Sequence, residues 1–580
     1  MAKKYLASLL VVLLAIGFVS YWIYRQRARP TLHMAALPPA QALGFIALPG
    51  LPQAWADLRQ TKFFAHVSSP AFWEVALGPE GYRRLMEGKQ QLEQQLGLAL
   101  TEQTVGILLG REVGLALVPS RREDRPLDVI AYIKVSGTEQ VVESLSRTFS
   151  IATPDLVRET QMVDGIEIIT LHPKGASSGI SYAYVGDLAV LATDPAWVMD
   201  AFKAGRGAGD ERLYAQPLMQ EMQVAQSDAL LAYGYYDVAE MQAQLMAWMP
   251  GAAHMPLATT MPMLQTTRQM TMKAMRARDG VTLEAVAQYH PHVASQILRR
   301  TEREAAMPPF RGAPAETFYL TYIDLFNLQG IWQWLKPLAA VGAQDGLERK
   351  LDQFRAWTGA DLEQDMLPTF TGVVGLGVTG PFGPQGASAL PLPGFFLTLG
   401  ITDEARVNQL IQTVGGHVAG PRFPEFLQRK TYNGHEIRYL SNPFLPIKPG
   451  YVIGHNQLIL GSDSSLLQHM LDAAEGRTNT LADANTYQEM LKHVRLKGGT
   501  MTFVDVTTAL AKAGEWRTRL AFLAQGLTRA SPSSSPADLA HADPWTLLEL
   551  IRPVHYVGAV SQAEVQGVRT EVFIAFEDLK

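Results

Sequence analysis

Short stretches of apolar or alternating residues recur along the chain, each about as long as one β-strand. Examples are Asp128–Val135 (DVIAYIKV), Leu230–Tyr236 (LLAYGYY) and Phe318–Leu325 (FYLTYIDL). Between them lie stretches with apolar residues at every third or fourth position, which predict amphipathic helices. Asp164-Gly165 and Asn433-Gly434 suit the two-residue type I′ turn of a β-hairpin. The pattern predicts an α+β protein built largely from antiparallel strands.

Two distant segments, Met162–Phe202 and Thr431–Leu471, follow the same pattern. Each begins with a hairpin and continues with one strand, an Asp at a predicted helix N-cap and an amphipathic helix. The matching positions differ by 268 to 270 in residue number, namely Asp164-Gly165 with Asn433-Gly434, Pro173 with Pro443, Gly186 with Gly454, and Asp194 with Asp463. A nearly constant offset predicts a tandem duplication. Each repeat is expected to hold seven or eight strands, with three or four helices packed on one face of the sheet.

The predicted organisation has five parts. They are an anchor over residues 1–30, a tether over 31–42, a first α+β repeat over 43–290, a linker over 291–314 and a second repeat over 315–580. The linker contains the charged run RRTERE and then Pro- and Ala-rich residues, as a domain boundary does.

The anchor is predicted from Tyr5–Tyr24, about 20 residues without a charge, flanked by Lys and Arg. A helix of this length spans about 30 Å, the thickness of the hydrocarbon core of a bilayer. Bulky aromatic residues and Arg follow it, which favours an uncleaved anchor over a signal peptide. We therefore expect a single-pass protein of the bacterial inner membrane with its body in the periplasm. The alternative is a body held at the cytoplasmic face.

Composition excludes several classes of function. The chain has 580 residues, a formal net charge of −5 and no cysteine. The small net charge offers no concentrated basic face, so nucleic acid is not an expected partner. Without cysteine there are no disulfides, thiolate metal sites or Cys nucleophiles.

Motifs for cofactors or metals are weak. Gly375–Gly380 matches GxGxxG, but Pro381 follows, so the run cannot open a helix as a dinucleotide site requires. His290 and His292 are the closest histidine pair and have no acidic partner nearby. No cofactor and no metal site is predicted. Five aspartates that each follow a strand and precede a helix are predicted to cap helices, namely Asp194, Asp237, Asp324, Asp463 and Asp505.

The segment Met241–Met275 is rich in methionine. Three interpretations compete: a helix packed on its own sheet, an adaptable apolar binding surface, and a Cu(I) site of soft thioether ligands. The corresponding part of the second repeat uses Leu, Trp and Phe, which favours apolar bulk over sulfur chemistry. The candidate partner or ligand surface comprises Trp248, Met249, Met255, Met261, Met263 and Met270.

The strand–Asp–helix pattern of FYLTYIDL and YGYYDVAEM, with the paired segments VGDLAVLATD and IGHNQLILGSD, resembles an uncharacterised bacterial family. This family is a domain of unknown function in membrane-anchored, exported proteins, and the resemblance covers most of residues 40–577. It implies a location and a fold, and it assigns no catalytic residues.

We therefore expect a non-enzymatic protein of the cell envelope. Its lipid contact is Tyr5–Tyr24, and its body is expected to bind an envelope protein or an apolar ligand. The alternative is an envelope hydrolase whose site is assembled in space from distant residues.

Overall fold

The computed structural model describes residues 34–49, 56, 59–96, 112–123, 125–134, 156–176, 179–205, 212–221, 229–248, 266–298, 311–325, 328–341, 344–381, 393–420, 423–440, 448–494, 499–514 and 551–576. The chain divides into two compact units. The first is Met1–Gln288 with Asp578–Lys580, and the second is Tyr289–Glu577.

The described strands of the first unit are β1 (Gly44–Pro49), β2 (Glu112–Pro119), β3 (Leu127–Lys134), β4 (Leu156–Val163), β5 (Ile166–Pro173), β6 (Ile180–Val185), β7 (Leu188–Ala192), β8 (Leu230–Asp237), β9 (Thr267–Ala277) and β10 (Gly280–Tyr289). They pair in the order β4-β5-β6-β7-β3-β2-β1-β8-β9-β10. The first strand in the chain therefore lies inside the sheet, between β2 and β8.

The described strands of the second unit are β11 (Thr317–Asp324), β12 (Phe370–Pro381), β13 (Pro393–Ile401), β14 (Leu427–Tyr432), β15 (His435–Leu440), β16 (Gly450–Gly454), β17 (Gln457–Gly461), β18 (Thr500–Asp505), β19 (Val554–Ala563) and β20 (Gly567–Phe576). They pair antiparallel in the order β14-β15-β16-β17-β13-β12-β11-β18-β19-β20.

The order in the second unit is that of the first, with every strand number raised by ten. Each unit has ten described strands, where the sequence predicts seven or eight. One additional strand arises because the segment before each capping Asp is a hairpin, β6–β7 or β16–β17, where one strand is predicted. The pairing also corrects one sequence match. Val185 pairs with Leu188 and Gly454 pairs with Gln457, so the two-residue turn Gly186-Asp187 corresponds to His455-Asn456.

Helices connect the strands. In the first unit they are Lys62–Val67, Pro70–Leu96, Pro195–Gly205, Pro217–Glu221 and Val238–Trp248. In the second unit they are Pro291–Ile297, Leu328–Val341, Gln344–Thr358, Glu404–Ala419, Phe423–Phe426, Ser464–Ala474 and Asn485–His493, together with residues 506–514. The helix over Pro70–Leu96 is kinked where Gly78, with φ of 73°, precedes Pro79. A proline ring there cannot continue a straight helix.

In the first unit, apolar residues are buried on both faces of the sheet. All five residues of β7 are buried. Leu188 and Val190 join the main core, which also contains Trp197 and Phe202 of the helix Pro195–Gly205. Ala189 and Leu191 belong to a separate cluster on the opposite face. A continuous apolar run is typical of strands with both faces covered.

The second unit places helices on both faces of its sheet, which corrects the prediction that they pack on one face. Val407 of Glu404–Ala419 packs with Tyr451 and Leu458. A β-carbon on Gly461 would lie 2.9 Å from Leu467, so the helix Ser464–Ala474 lies on the other face. The sequence LIL at 458–460 is apolar at every position because both faces of β17 are covered.

The predicted tether is also corrected in part. Met34, Ala35 and Leu37 are completely buried in the main core of the first unit, where Met34 approaches Gly114. Within the predicted linker, Pro291–Ile297 forms a helix. The predicted anchor Tyr5–Tyr24 lies outside the described residues. Among the residues that the structure describes, no helix has both the length and the hydropathy needed to cross a bilayer.

Four of the five predicted aspartate caps are confirmed. A side-chain oxygen accepts a hydrogen bond from the backbone N–H two or three residues later at Asp194, Asp237, Asp463 and Asp505. Asp324 ends β11, and its own N–H donates to Oγ1 of Thr500. The helix that follows it begins only at Leu328.

Candidate functional site

The second unit holds an apolar cavity between one face of its sheet and the helix Glu404–Ala419. The helix begins at Asp403, whose carboxylate accepts hydrogen bonds from the N–H groups of Ala405 and Arg406. It ends at Gly420, whose φ of 86° and ψ of 173° form a backbone conformation that is open almost only to glycine. The chain then turns into the short helix Phe423–Phe426, which leads directly into β14.

The floor of the cavity is formed by four neighbouring strands. In the registered pairs, Leu460 of β17 lies opposite Tyr451 of β16 and Leu397 of β13, and Leu397 lies opposite Leu376 of β12. Residues opposite each other in paired strands project from the same face. The four strands therefore present one continuous row of apolar side chains.

The roof is formed where the helix and the chain after it approach this row. The cavity has a volume of about 460 Å³ and is lined by Leu376, Phe395, Phe396, Leu397, Ile411, Phe423, Leu427, Leu440, Pro449, Gly450, Tyr451, Leu460, Gly461 and Ser462. None of these side chains is charged. Gly415 allows the roof to close, because a β-carbon there would lie 2.1 Å from Cε1 of Phe423.

Apolar side chains at the rim remain exposed. Phe395 is 50% exposed, Leu376 44% and Leu440 37%. Covering what remains exposed of three such side chains is worth roughly 2–4 kcal/mol in total. The rim therefore provides a driving force for binding an apolar group.

The polar groups of the lining are already hydrogen-bonded. The Ser462 hydroxyl accepts from the N–H of Phe395 at 3.0 Å, and the Tyr451 hydroxyl accepts from Nη1 of Arg438 at 3.1 Å. Burial acts to lower the pKa of Arg438, but its hydrogen bonds to Glu436 and Tyr451 outweigh burial and raise the pKa. The guanidinium is therefore charged, and Tyr451 is fixed by it at the cavity wall.

The structure leaves most of the predicted methionine surface outside its described residues. This applies to Met249, Met255, Met261 and Met263. Trp248 is the last residue of the helix Val238–Trp248. Met270 lies in β9 opposite Tyr236 and is half-buried.

Two other methionines of β9 pack on their own sheet. Met275 packs against the main core of the first unit, and Met272 fills the space beside Gly234. These contacts favour the packing interpretation for the described end of the segment.

The apolar cavity was not predictable from the sequence, because its lining comes from eight separate elements. One signal was available, since PRFPEF at 421–426 places two aromatic residues directly after a helix with adjacent glycines, Gly415 and Gly416. The GxGxxG run forms no loop. Gly375 and Gly377 lie within β12, and Gly377 provides the space occupied by the ring of Phe396.

One group of side chains among the described residues could hold a metal ion. The ligand atoms of His435, His455 and Glu475 all lie within 4.8 Å of one another. His290 and His292, the closest histidine pair in the sequence, have stacked rings with centroids 5.8 Å apart, at the start of the helix Pro291–Ile297.

Comparisons with known proteins find a family model that matches part of the chain, and solved structures with distant similarity. Residues 313–529 match the model of a family described as "Protein of unknown function (DUF3352)". This supports the resemblance to an uncharacterised family, over a shorter part of the chain than the sequence analysis gave. No curated protein matches the chain.

Solved structures with detectable similarity include crystal forms of TP0453. Crystal form III is 6% identical, with a TM-score of 0.24, and the alignment covers 48% of this chain and 91% of that one. Crystal form I is 7% identical, with a TM-score of 0.23, over 45% of this chain and 80% of that one. Scores this low do not establish a common fold.

Proposed function

We propose that the protein is a non-enzymatic binding protein of the bacterial cell envelope, and that the cavity of its second unit binds an apolar ligand of the acyl-chain class. The observation that carries this proposal is the cavity itself, with its uncharged lining and exposed rim. A volume of about 460 Å³ lies within the usual range for ligand pockets, roughly 300–1,000 Å³.

The chemistry of the lining favours binding over catalysis at this cavity. Hydrolysis needs a nucleophile with a base, or a polarised water, aimed at a reacting atom. The lining residues include no histidine and no carboxylate, and the hydroxyl groups of Ser462 and Tyr451 both accept hydrogen bonds. An uncharged acyl chain is the kind of ligand that complements such an apolar surface.

The location is part of the proposal. A helix over Tyr5–Tyr24 would anchor the chain in the inner membrane, with the body in the periplasm. Lipid acyl chains would then be the nearest abundant apolar ligands. The proposal also includes a tandem duplication, which the shared strand order and the offset of 269 between matching turns support.

Photolabelling tests the ligand. Full-length protein in its native membranes is exposed to a fatty acid that carries a diazirine on its acyl chain, and labelled peptides are mapped by mass spectrometry. We expect labels on the strand segments 393–400 and 450–461. Leu376→Glu places a charge at the rim and should reduce labelling at least tenfold. Contact between the carboxylate and an apolar chain has to cost only about 1.4 kcal/mol of binding free energy to weaken binding by a factor of ten.

Ile323→Glu is the matched control. Ile323 lies on β11 next to β12, is 36% exposed and does not line the cavity. Labelling should be unchanged in this variant. Labels confined to other regions, or equal labelling of the Leu376→Glu variant, would refute the proposal.

A further inference from the structure

Two hairpin turns and one helix end meet at the edge of the second unit, away from the cavity lining. The turn between β14 and β15 is Asn433-Gly434, with φ of 50° and 83°. The turn between β16 and β17 is His455-Asn456, with φ of 54° and 57°. The helix Ser464–Ala474 ends beside them, with Glu475 as its C-cap.

This arrangement brings three potential ligands together. Nε2 of His435 lies 3.2 Å from Oε1 of Glu475, and the imidazole rings of His435 and His455 have centroids 5.5 Å apart. Two ligands of one tetrahedral Zn²⁺, each at about 2.0–2.2 Å from the ion, lie roughly 3.3 Å apart. The separation of His435 and Glu475 fits two ligands of one ion.

The backbone leaves space for the first histidine. A β-carbon on Gly454 would lie 2.9 Å from Cε1 and from Nδ1 of His435, so glycine is the residue that lets the ring occupy this place. Glu475 also lies at the C-terminal end of a helix, where the helix dipole favours positive charge.

A second set of side chains holds the ligands in position. Arg477 pairs with Oε2 of Glu475, which leaves Oε1 directed towards His435. The same guanidinium bonds Asp472, whose carboxylate accepts from Tyr432 at 2.6 Å and from Asn433 at 3.0 Å. The hydrogen bond to Asp472 raises the pKa of Tyr432. Metal-binding carboxylates are commonly fixed by such outer partners.

His455 has a backbone conformation that costs energy. A residue with a β-carbon in the left-handed region is disfavoured by about 1–2 kcal/mol relative to glycine. At the corresponding turn the first unit has Gly186, and Ile166 stands where the second unit has His435. The fold itself therefore requires neither histidine, and their presence in one unit calls for another explanation.

We propose that His435, His455 and Glu475 bind a Zn²⁺ ion. Two imidazoles and one carboxylate form a set that suits zinc and related late first-row divalent metals. Three protein ligands leave a fourth position for water or for a donor atom of a partner. This site is independent of the apolar cavity.

The test uses the full-length protein, purified in detergent without a polyhistidine tag and treated with EDTA. Isothermal titration with ZnCl₂ should show one tight site per chain, and titration with CoCl₂ should give the visible absorption of a tetrahedral complex. His455→Gly and Glu475→Gln should each weaken Zn²⁺ binding at least tenfold. His292→Asn, which removes an exposed histidine elsewhere in the same unit, should bind as the wild type does.

The His455→Gly variant also separates loss of binding from loss of folding. Glycine removes the unfavourable φ, so this variant should unfold at the same or a higher temperature than the wild type in EDTA, and only the wild type should be stabilised by ZnCl₂. Wild-type protein that binds no Zn²⁺ at micromolar concentrations would overturn the proposal. Equal binding by the His455→Gly variant would overturn it as well.

Discussion

The ring of Phe423 occupies the space that a β-carbon on Gly415 would need, with only 2.1 Å between that β-carbon and Cε1 of the ring. This contact joins the helix Glu404–Ala419 to the chain that closes the roof of the apolar cavity. A substitution at Gly415 should therefore change ligand binding, even when it adds only one methyl group.

The Gly415→Ala variant should displace Phe423 and reduce photolabelling by the diazirine fatty acid at least tenfold. Gly416→Ala is the control, because nothing lies within 4 Å of a β-carbon there. It should leave labelling unchanged and stabilise the helix by up to about 1 kcal/mol, the cost of glycine relative to alanine. Similar labelling of the two variants would contradict the role of Phe423.

Asp128 is the hub of a buried polar network in the first unit. Its completely buried carboxylate accepts from Nε1 of Trp197 at 3.1 Å and from the hydroxyl of Thr193 at 2.8 Å, and it pairs with Arg125 at 2.7 Å. Asp128→Ala should cost about 3–5 kcal/mol, because it leaves buried donors and a cation unpaired. Trp197→Phe should cost only about 2 kcal/mol, because it removes one hydrogen-bond donor to Asp128 and keeps an aromatic ring in the core.

Hydrogen exchange of β3 and β7 peptides as a function of urea measures both losses within the first unit. Asp187→Ala, at an exposed turn of the same unit, should stay within about 0.5 kcal/mol of the wild type. If Asp128→Ala were as mild as this control, the network would have no stabilising role.

Asp463 caps the helix Ser464–Ala474 and also accepts from the N–H of Lys448, which tethers the chain just before β16. Asp463→Ala should destabilise the second unit by about 1–2 kcal/mol. Asp463→Asn keeps an acceptor oxygen and should retain most of this stability. Urea-dependent hydrogen exchange of the helix peptide distinguishes the two, and equal losses would show that the charge matters more than the hydrogen bond.

His172 gives the first unit a pH-dependent contact. Its Nε2 lies 3.1 Å from Oε1 of Glu159, and this hydrogen bond raises the pKa of His172 above 6.5. A raised folded-state pKa means that the contact stabilises fully below about pH 6.5 and is lost as the pH rises through the folded-state pKa. At about pH 5.5 the wild type should therefore have a higher melting temperature than the His172→Gln variant, and this difference in melting temperature should be smaller at about pH 8.5. A difference that does not vary with pH would contradict this assignment.

Local chemistry was predictable from the sequence. Asp194 and Asp463 follow a strand and precede a helix, and a carboxylate at that position has few alternatives to capping. The Asp164-Gly165 and Asn433-Gly434 turns were predictable for the same reason, because only a few residues accept positive φ at both positions.

Contacts between distant segments were not predictable. The turn at His455-Asn456 lacks the usual glycine, so the sequence VIGHNQLIL predicts one strand where the structure has a hairpin. Without that turn, the sequence gives no sign that His455 lies near the other two potential metal ligands. The hydrophobic periodicity of a strand indicates which of its faces is apolar, but it does not identify the strand that pairs with it. The pairing of β13 with β17 brings Leu397 beside Leu460, and no local signal in either strand indicates that partner.

The position of β1 determines when each sheet can be completed. Gly44 of β1 pairs with Tyr236 of β8, and in the second unit Tyr322 of β11 pairs with Met501 of β18. In each unit an inner strand therefore cannot pair on one side until a strand much later in the chain has been synthesised. Closing such long loops costs conformational entropy before the new contacts stabilise the chain, so this pairing is slow. The β4–β5 and β14–β15 hairpins join neighbouring segments and can form at once. During synthesis, or transfer across a membrane, β1 and β11 would therefore keep one edge unpaired, and each unit would depend on protection from aggregation until its eighth strand arrives.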